Sequence, residues 1–154
     1  MRVCIERRPY EIKLHCIYFI YTFFVFSLQL RKRSITKKSV DKFLGKYVSE
    51  DYYQRSDGYD WINILITKKD DNAVYISIKS RSDKKKPTCT FDGEGIIVES
   101  NTLKSIFNEK VILFDLEDGI LKVFMEKEKD GDLLYFFCSG GATLEGSYKK
   151  TAEK

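Results

Sequence analysis

Few residues in this chain could do bond-making chemistry, and their placement narrows the choice further. The single histidine, His15, lies in an apolar stretch near the N-terminus. Beyond it no imidazole is available for a Ser-His-Asp or Cys-His unit, or as a metal ligand. The carboxylate pairs Asp70-Asp71 and Glu117-Asp118 fall among turn residues, where Asp is favoured because its side chain bonds its own backbone. General acid–base work needs a carboxyl with a raised pKa in a cleft, and no pattern marks one. Asp115 interrupts an apolar run, but alternation turns it outward. Cys138-Ser139-Gly140-Gly141 lacks the Gly-x-Ser-x-Gly elbow of a serine hydrolase. No Cys-x-x-Cys spacing exists for zinc or thioredoxin-type chemistry. The expectation is a non-enzymatic protein with no metal and no cofactor.

Two groups of residues remain that could link or bind. Of the four cysteines, Cys4 and Cys16 sit near the N-terminus, while Cys89 and Cys138 lie on apolar runs in the body. In an oxidising compartment such a pair reads as one disulfide; two separate buried thiols are the alternative. The second group is aromatic. Tyr47, Tyr52, Tyr53 and Tyr59 surround Arg55 and Gly58, and Trp61, the only tryptophan, follows directly. Aromatic residues beside arginine are typical of partner-binding surfaces, so these residues are the candidate ligand or partner contacts. The alternative is a loop whose rings serve only its own packing.

The compartment is read from Leu14–Leu30, LHCIYFIYTFFVFSLQL, which carries no formal charge and has basic residues on both flanks. Arg2, Arg7, Arg8 and Lys13 supply the positive region of a secretory signal, and Ile17–Leu28 its apolar region. The cleavage site is poor, because Phe26-Ser27-Leu28 offers no small-x-small pattern. As an uncleaved anchor the segment stands near the lower limit of about 17 residues for a spanning helix. Residues 1–30 are therefore expected to form a signal peptide or signal-anchor helix. The rest of the chain is then exported to the cell envelope or beyond, tethered to the membrane if the segment is not cleaved.

Charge changes meaning once that region is set apart. The chain is formally +4, but nine of its 27 Lys and Arg and two of its 23 Asp and Glu lie in residues 1–40. That region is +7, and residues 41–154 are −3. The body has no electrostatic footprint for phosphate, so nucleic acid is not an expected partner.

The elements that must position these residues read as strands. Alternating apolar residues recur at Lys46–Glu50, Asp60–Lys69, Ala73–Arg81, Thr88–Phe91, Ile96–Ser100, Leu103–Phe107, Lys110–Leu116, Ile120–Lys127, Leu133–Cys138 and Gly146–Lys150. Turn chemistry separates them at Asp70-Asp71-Asn72, Asp92-Gly93-Glu94-Gly95, Ser100-Asn101, Glu117-Asp118-Gly119 and Lys129-Asp130-Gly131-Asp132. The pattern predicts an all-β body at residues 43–150, after a basic linker at 31–42 and before a short tail at 151–154. Its fold is expected to be an antiparallel up-and-down barrel of eight or nine strands, since closure removes exposed edges. No helix is expected inside the body. Ile62, Ile64 and Ile66, then Val74, Ile76 and Ile78, then Ile112, Phe114 and Leu116, then Leu121, Val123 and Met125 form four inward rows. Four such rows can fill a small barrel outright.

Phe43-Leu44-Gly45-Lys46-Tyr47 resembles the Gly-x-Trp element that opens lipocalin and fatty-acid-binding barrels, with Tyr47 where Trp is usual. Leu144-Glu145-Gly146-Ser147-Tyr148-Lys149-Lys150 resembles the final strand of small bacterial lipocalin-like domains. The resemblance implies a non-catalytic barrel that carries a small apolar ligand or binds a cell-envelope component. Ser139-Gly140-Gly141 after Cys138 resembles more faintly the Ser-Gly turn of periplasmic lysozyme inhibitors, which implies a protein-binding inhibitor or adaptor. A structural envelope protein is the third reading.

Overall fold

Eight alternating runs pair with their neighbours in chain order, and the last returns to the first. The computed structural model describes residues 39–81 and 86–152, which belong to one compact unit, Lys38–Lys154. The expected signal or anchor segment Leu14–Leu30 and residues 31–38 lie outside the described residues. The strands are β1 (Gly45–Val48), β2 (Ile62–Lys68), β3 (Ala73–Ser80), β4 (Thr90–Ile97), β5 (Thr102–Phe107), β6 (Lys110–Glu117), β7 (Ile120–Met125) and β8 (Gly146–Lys150). They form a closed barrel in the order β1 to β8, every pair antiparallel. Tyr47 opposite Lys150 and Val48 opposite Lys149 close it.

The tight turns follow the predicted chemistry. The Asp70 carboxylate accepts from the Asn72 and Ala73 amides at 2.8 and 2.9 Å, which holds the β2–β3 hairpin. Asp118 and Gly119, with φ of 49° and 80°, join β6 to β7, the two-residue left-handed turn that matches strand twist.

All four predicted rows point inward. Ile64, Ile66, Val74, Ile76, Ile78, Ile112, Phe114, Leu121, Val123 and Met125 are buried, and Ile62 and Leu116 pack partly buried against them. Both ends of the barrel are stoppered. At one, a 3-10 turn at Val40–Phe43 inserts Val40 and Phe43, both fully buried. The Lys42 ammonium ties this turn to the β4–β5 connection by donating to the Ser100 carbonyl and the Asn101 side chain. Val40, inside the stretch expected to be linker, thus packs into the core of the barrel. At the other end, helix α1 (Asp132–Phe136) buries Leu133 and Leu134, and Leu144 packs with them.

Three elements differ from the sequence pattern. Leu133–Cys138 is not a strand but α1 and its exit; two adjacent leucines must both face the core, which a helical turn allows and strand alternation forbids. The body also contains 3-10 turns, at Val40–Phe43, Glu50–Asp57 and Glu128–Asp130, where none was expected. Finally, Asp92-Gly93-Glu94-Gly95 is not a turn. Residues 88–100 hold one strand, β4, whose two glycines face inward. A Cβ built on Gly93 would lie 2.6 Å from the Phe91 ring, and one on Gly95 would lie 2.8 Å from the Ile76 side chain. Glycine there makes room for neighbours.

The predicted Cys89–Cys138 disulfide is formed. The two residues face each other as an antiparallel bridge, flanked by Thr90 N–H to Phe137 O at 2.9 Å and Ser139 N–H to Thr88 O at 2.7 Å. Residues 137–139 thus line the start of β4, where β5 does not reach it: β4 and β5 pair only at Ile96–Lys104 and Ile97–Leu103. Rings line this seam, from the buried Phe91 out to the largely exposed Phe136. Phe91 and Phe107 each meet Phe137 edge to face at 4.9 Å, and Phe136 lies 5.6 Å beyond it.

The two motifs that resemble lipocalin strands do matching jobs. Tyr47 O–H donates to Phe43 O, and Tyr148 O–H donates to Leu144 O, each at 2.8 Å and each four residues upstream. Gly45 and Gly146, at φ of 133° and 156°, let the chain turn between donor and acceptor. Each tyrosine locks a plug-bearing segment onto its strand. Burial raises the Tyr47 phenol to about 12 and raises that of Tyr148 as well. The folded state holds these protons more tightly than the unfolded chain, whose tyrosines titrate near 10. Their contribution is fully present below about pH 10 and is lost as pH rises through the folded values. We expect the melting temperature to fall steeply above about pH 10, together with tyrosinate absorbance, and Y47F/Y148F to flatten that fall.

Candidate functional site

The tyrosine-rich loop between β1 and β2 folds back over the outer wall. Val48 and Trp61 point outward at the ends of β1 and β2. The Glu50–Asp57 segment lays Tyr52 across them, making a satellite cluster of Val48, Tyr52 and Trp61 outside the barrel. Tyr52 and Trp61 meet edge to face at 5.0 Å, and both are almost fully buried. The Arg55 guanidinium stands 4.0 Å over the Tyr52 ring and donates to the Tyr52 carbonyl at 2.8 Å. The Lys46 ammonium lies 4.8 Å from the same ring centre and donates to the phenol at 3.2 Å. Lys46, on β1, holds the segment to the wall by attraction to the ring's π-face, while Arg55, on the segment itself, braces the same ring from within it.

The six candidate contacts therefore divide. Tyr52, Arg55 and Trp61 come together and serve chiefly to fasten the segment. Tyr47 faces the barrel interior, away from the others. Tyr53 and Tyr59 are exposed, at 59% and 54%. Tyr53 packs edge to face on Tyr52 at 5.7 Å and overhangs an open groove of about 440 Å³ lined by Val48, Glu50, Tyr53, Ile120, Ser147 and Lys149. Ile120, Lys149 and Val48 were absent from the candidate set. They meet because barrel closure sets Lys149 opposite both Ile120 and Val48. The available signal was the outward position of Ile120 on a strand whose alternate residues, Leu121 and Val123, face in.

A second hollow, of about 270 Å³, lies at the barrel end that carries the disulfide. Its walls include Trp61, Ile62, Cys89 and Tyr148, and Asp51, Asp60 and Glu145 also border it. Several of its polar groups already have partners. Ser80 Oγ accepts from the Thr88 and Cys89 amides at 2.7 and 2.8 Å, and Asp60 pairs with Arg81. Among the described residues no group of His, Cys, Asp and Glu is placed to hold a metal ion, and no helix is long and apolar enough to cross a membrane. Lys150, against Gly45, donates to Lys42 O at 2.9 Å, and burial lowers its ammonium pKa.

Compared with protein-family models, with curated proteins and with solved structures, the chain finds no match. The closed eight-stranded antiparallel barrel is compatible with a lipocalin-like architecture.

Proposed function

We propose that this protein is a non-catalytic, exported barrel that binds a macromolecular component of the cell envelope through its outer wall around Tyr53. The observation that carries this reading is where the protein has space. Side chains from all eight strands and both plugs occupy the interior. Phe43, Tyr47, Ile64, Ile66, Ile76, Ile78, Leu103, Ile112, Phe114, Leu121, Leu134 and Leu144 are each less than 2% exposed. A drug-sized ligand needs a cavity of roughly 300–1,000 Å³, and a core filled this way favours surface binding over a small apolar cargo. The outer groove offers apolar Ile120 and an aromatic Tyr53, with Glu50 and Lys149 beside them and the buried Val48 beneath. That is the composition of an interface centre with a polar rim. The disulfide supports an oxidising compartment, and Leu14–Leu30 supports delivery to the envelope.

A photo-cross-linking residue at Tyr53 should capture a discrete envelope partner, and the same residue at Thr67, elsewhere on the outer wall, should not. Y53A and I120D should each weaken that binding about tenfold or more. Neither should move stability by more than about 0.5 kcal/mol, as befits exposed positions. Equal capture at both positions would sink the assignment.

A further inference from the structure

The outer wall of β5, β6 and β7 carries a second exposed surface, separate from the groove. Two rows of cross-strand neighbours define it. Lys104, Leu113 and Phe124 form one. Ile106 and Val111 form the other, completed by Glu126, whose amide donates to the Val111 carbonyl at 3.0 Å. Ile106 is 61% exposed and Phe124 37%, and Ile96, 48% exposed, extends the first row beside Lys104. Inward neighbours on the same strands, Ser105, Ile112 and Met125, are buried.

Charge on this wall is arranged in an unusual way. Lys104 and Glu126 occupy diagonally opposite corners of the apolar patch. Neither has a salt bridge among the described residues, whereas Lys110 pairs with Asp130 and Lys122 with Glu117 nearby. With strands about 4.8 Å apart and a rise of about 3.4 Å per residue, their Cα positions lie about 12 Å apart. An ion pair across that span would need both side chains fully extended along the wall, and none joins them among the described residues.

We propose that this wall is the interface of a symmetric dimer, its occupant a second copy of the same chain. An isologous contact needs a patch complementary to itself across a twofold axis lying in the face. An axis close to the Ile106–Phe124 diagonal meets that condition. It sets Lys104 against Glu126 of the other copy, repeats the pair by symmetry, and brings the two Phe124 rings together beside them. One rotation thus gives both isolated charges a partner and covers Ile106, Leu113 and Phe124. Few residues are covered beside the roughly 800 Å² per partner of a standard interface, so the dimer is a weak one.

Carbodiimide cross-linking of the full chain, as an equal mixture of isotopically labelled and unlabelled protein, tests the register. The expected product is a mixed-label bond between Lys104 and Glu126. K104E and E126K alone should each weaken association about tenfold or more, because each creates two like-charge contacts, and the double variant K104E/E126K should recover most of it. F124D should abolish the dimer while the far-UV circular dichroism stays that of the folded barrel. A monomer at all concentrations, or self-association that the single charge reversals leave unchanged, would overturn the proposal. Association through any other segment of the chain falls under that second outcome.

Discussion

Replacing Cys89 and Cys138 together by alanine is expected to lower stability by about 4 kcal/mol, read from the shift of the urea midpoint. The bridge joins residues 49 apart, and its main effect in the chain-entropy model is to restrict the unfolded chain. The native structure should survive the change. Thr90 N–H to Phe137 O and Ser139 N–H to Thr88 O hold the same segments together without sulfur, and Leu133 and Leu134 keep α1 in its socket. Far-UV circular dichroism of the variant should therefore match that of the parent. A loss below about 1 kcal/mol would show that the bridge contributes little restriction. Alkylation of the unreduced protein in denaturant separates the causes, since Cys89 is buried in the fold and only a formed bridge keeps both cysteines unreactive once the chain is unfolded.

Phe114→Ala should cost as much, about 3–5 kcal/mol. Phe114 is fully buried, sits opposite Leu103 and Val123 on the neighbouring strands, and lies 6.5 Å from the Phe91 ring. Hydrogen bonds close the wall around it on every side, so the barrel cannot collapse into the space left behind. The upper part of the range is expected for that reason. Such an apolar cavity stays dry and accepts a small apolar solute. Benzene should therefore raise the melting temperature of F114A while leaving that of the parent unchanged. A cost below about 2 kcal/mol, or an equal benzene effect on both proteins, would mean that the parent interior already has room.

Much of this architecture was legible because strand alternation is a local signal. The rows through Ile64, Ile76, Phe114 and Val123 could be read from period-two spacing, and the Asp118-Gly119 hairpin from its turn residues. The errors arose where one residue type serves two purposes. Glycines at 93 and 95 beside Asp92 and Glu94 look like a turn, yet here they clear space for the Phe91 ring of the same strand and for Ile76 of neighbouring β3. The run Leu133–Cys138 is apolar, aromatic and short, and nothing local separates a strand from a plugging helix in such a run. Only the need to close the barrel end decides it.

The candidate site was legible in the same uneven way. Tyr52, Arg55 and Trp61 are close in sequence, and they do converge. Their convergence spends most of their surface on fastening the segment, which spacing alone cannot reveal. Tyr47 was grouped with them by proximity, but strand parity points it into the core, where its hydroxyl meets Phe43 O. Ile120 and Lys149 could not be joined to Tyr53 from sequence. The contact depends on β8 returning to β1, the longest-range pairing in the fold.

The central claim is that the interior is occupied by the protein's own side chains and that recognition takes place outside. Native mass spectrometry of the oxidised full chain, purified without denaturation, tests it most directly. The account predicts a mass equal to the polypeptide alone, with no apolar molecule released as the barrel unfolds. A lipid-sized molecule bound one per chain, and freed only on unfolding, would contradict it.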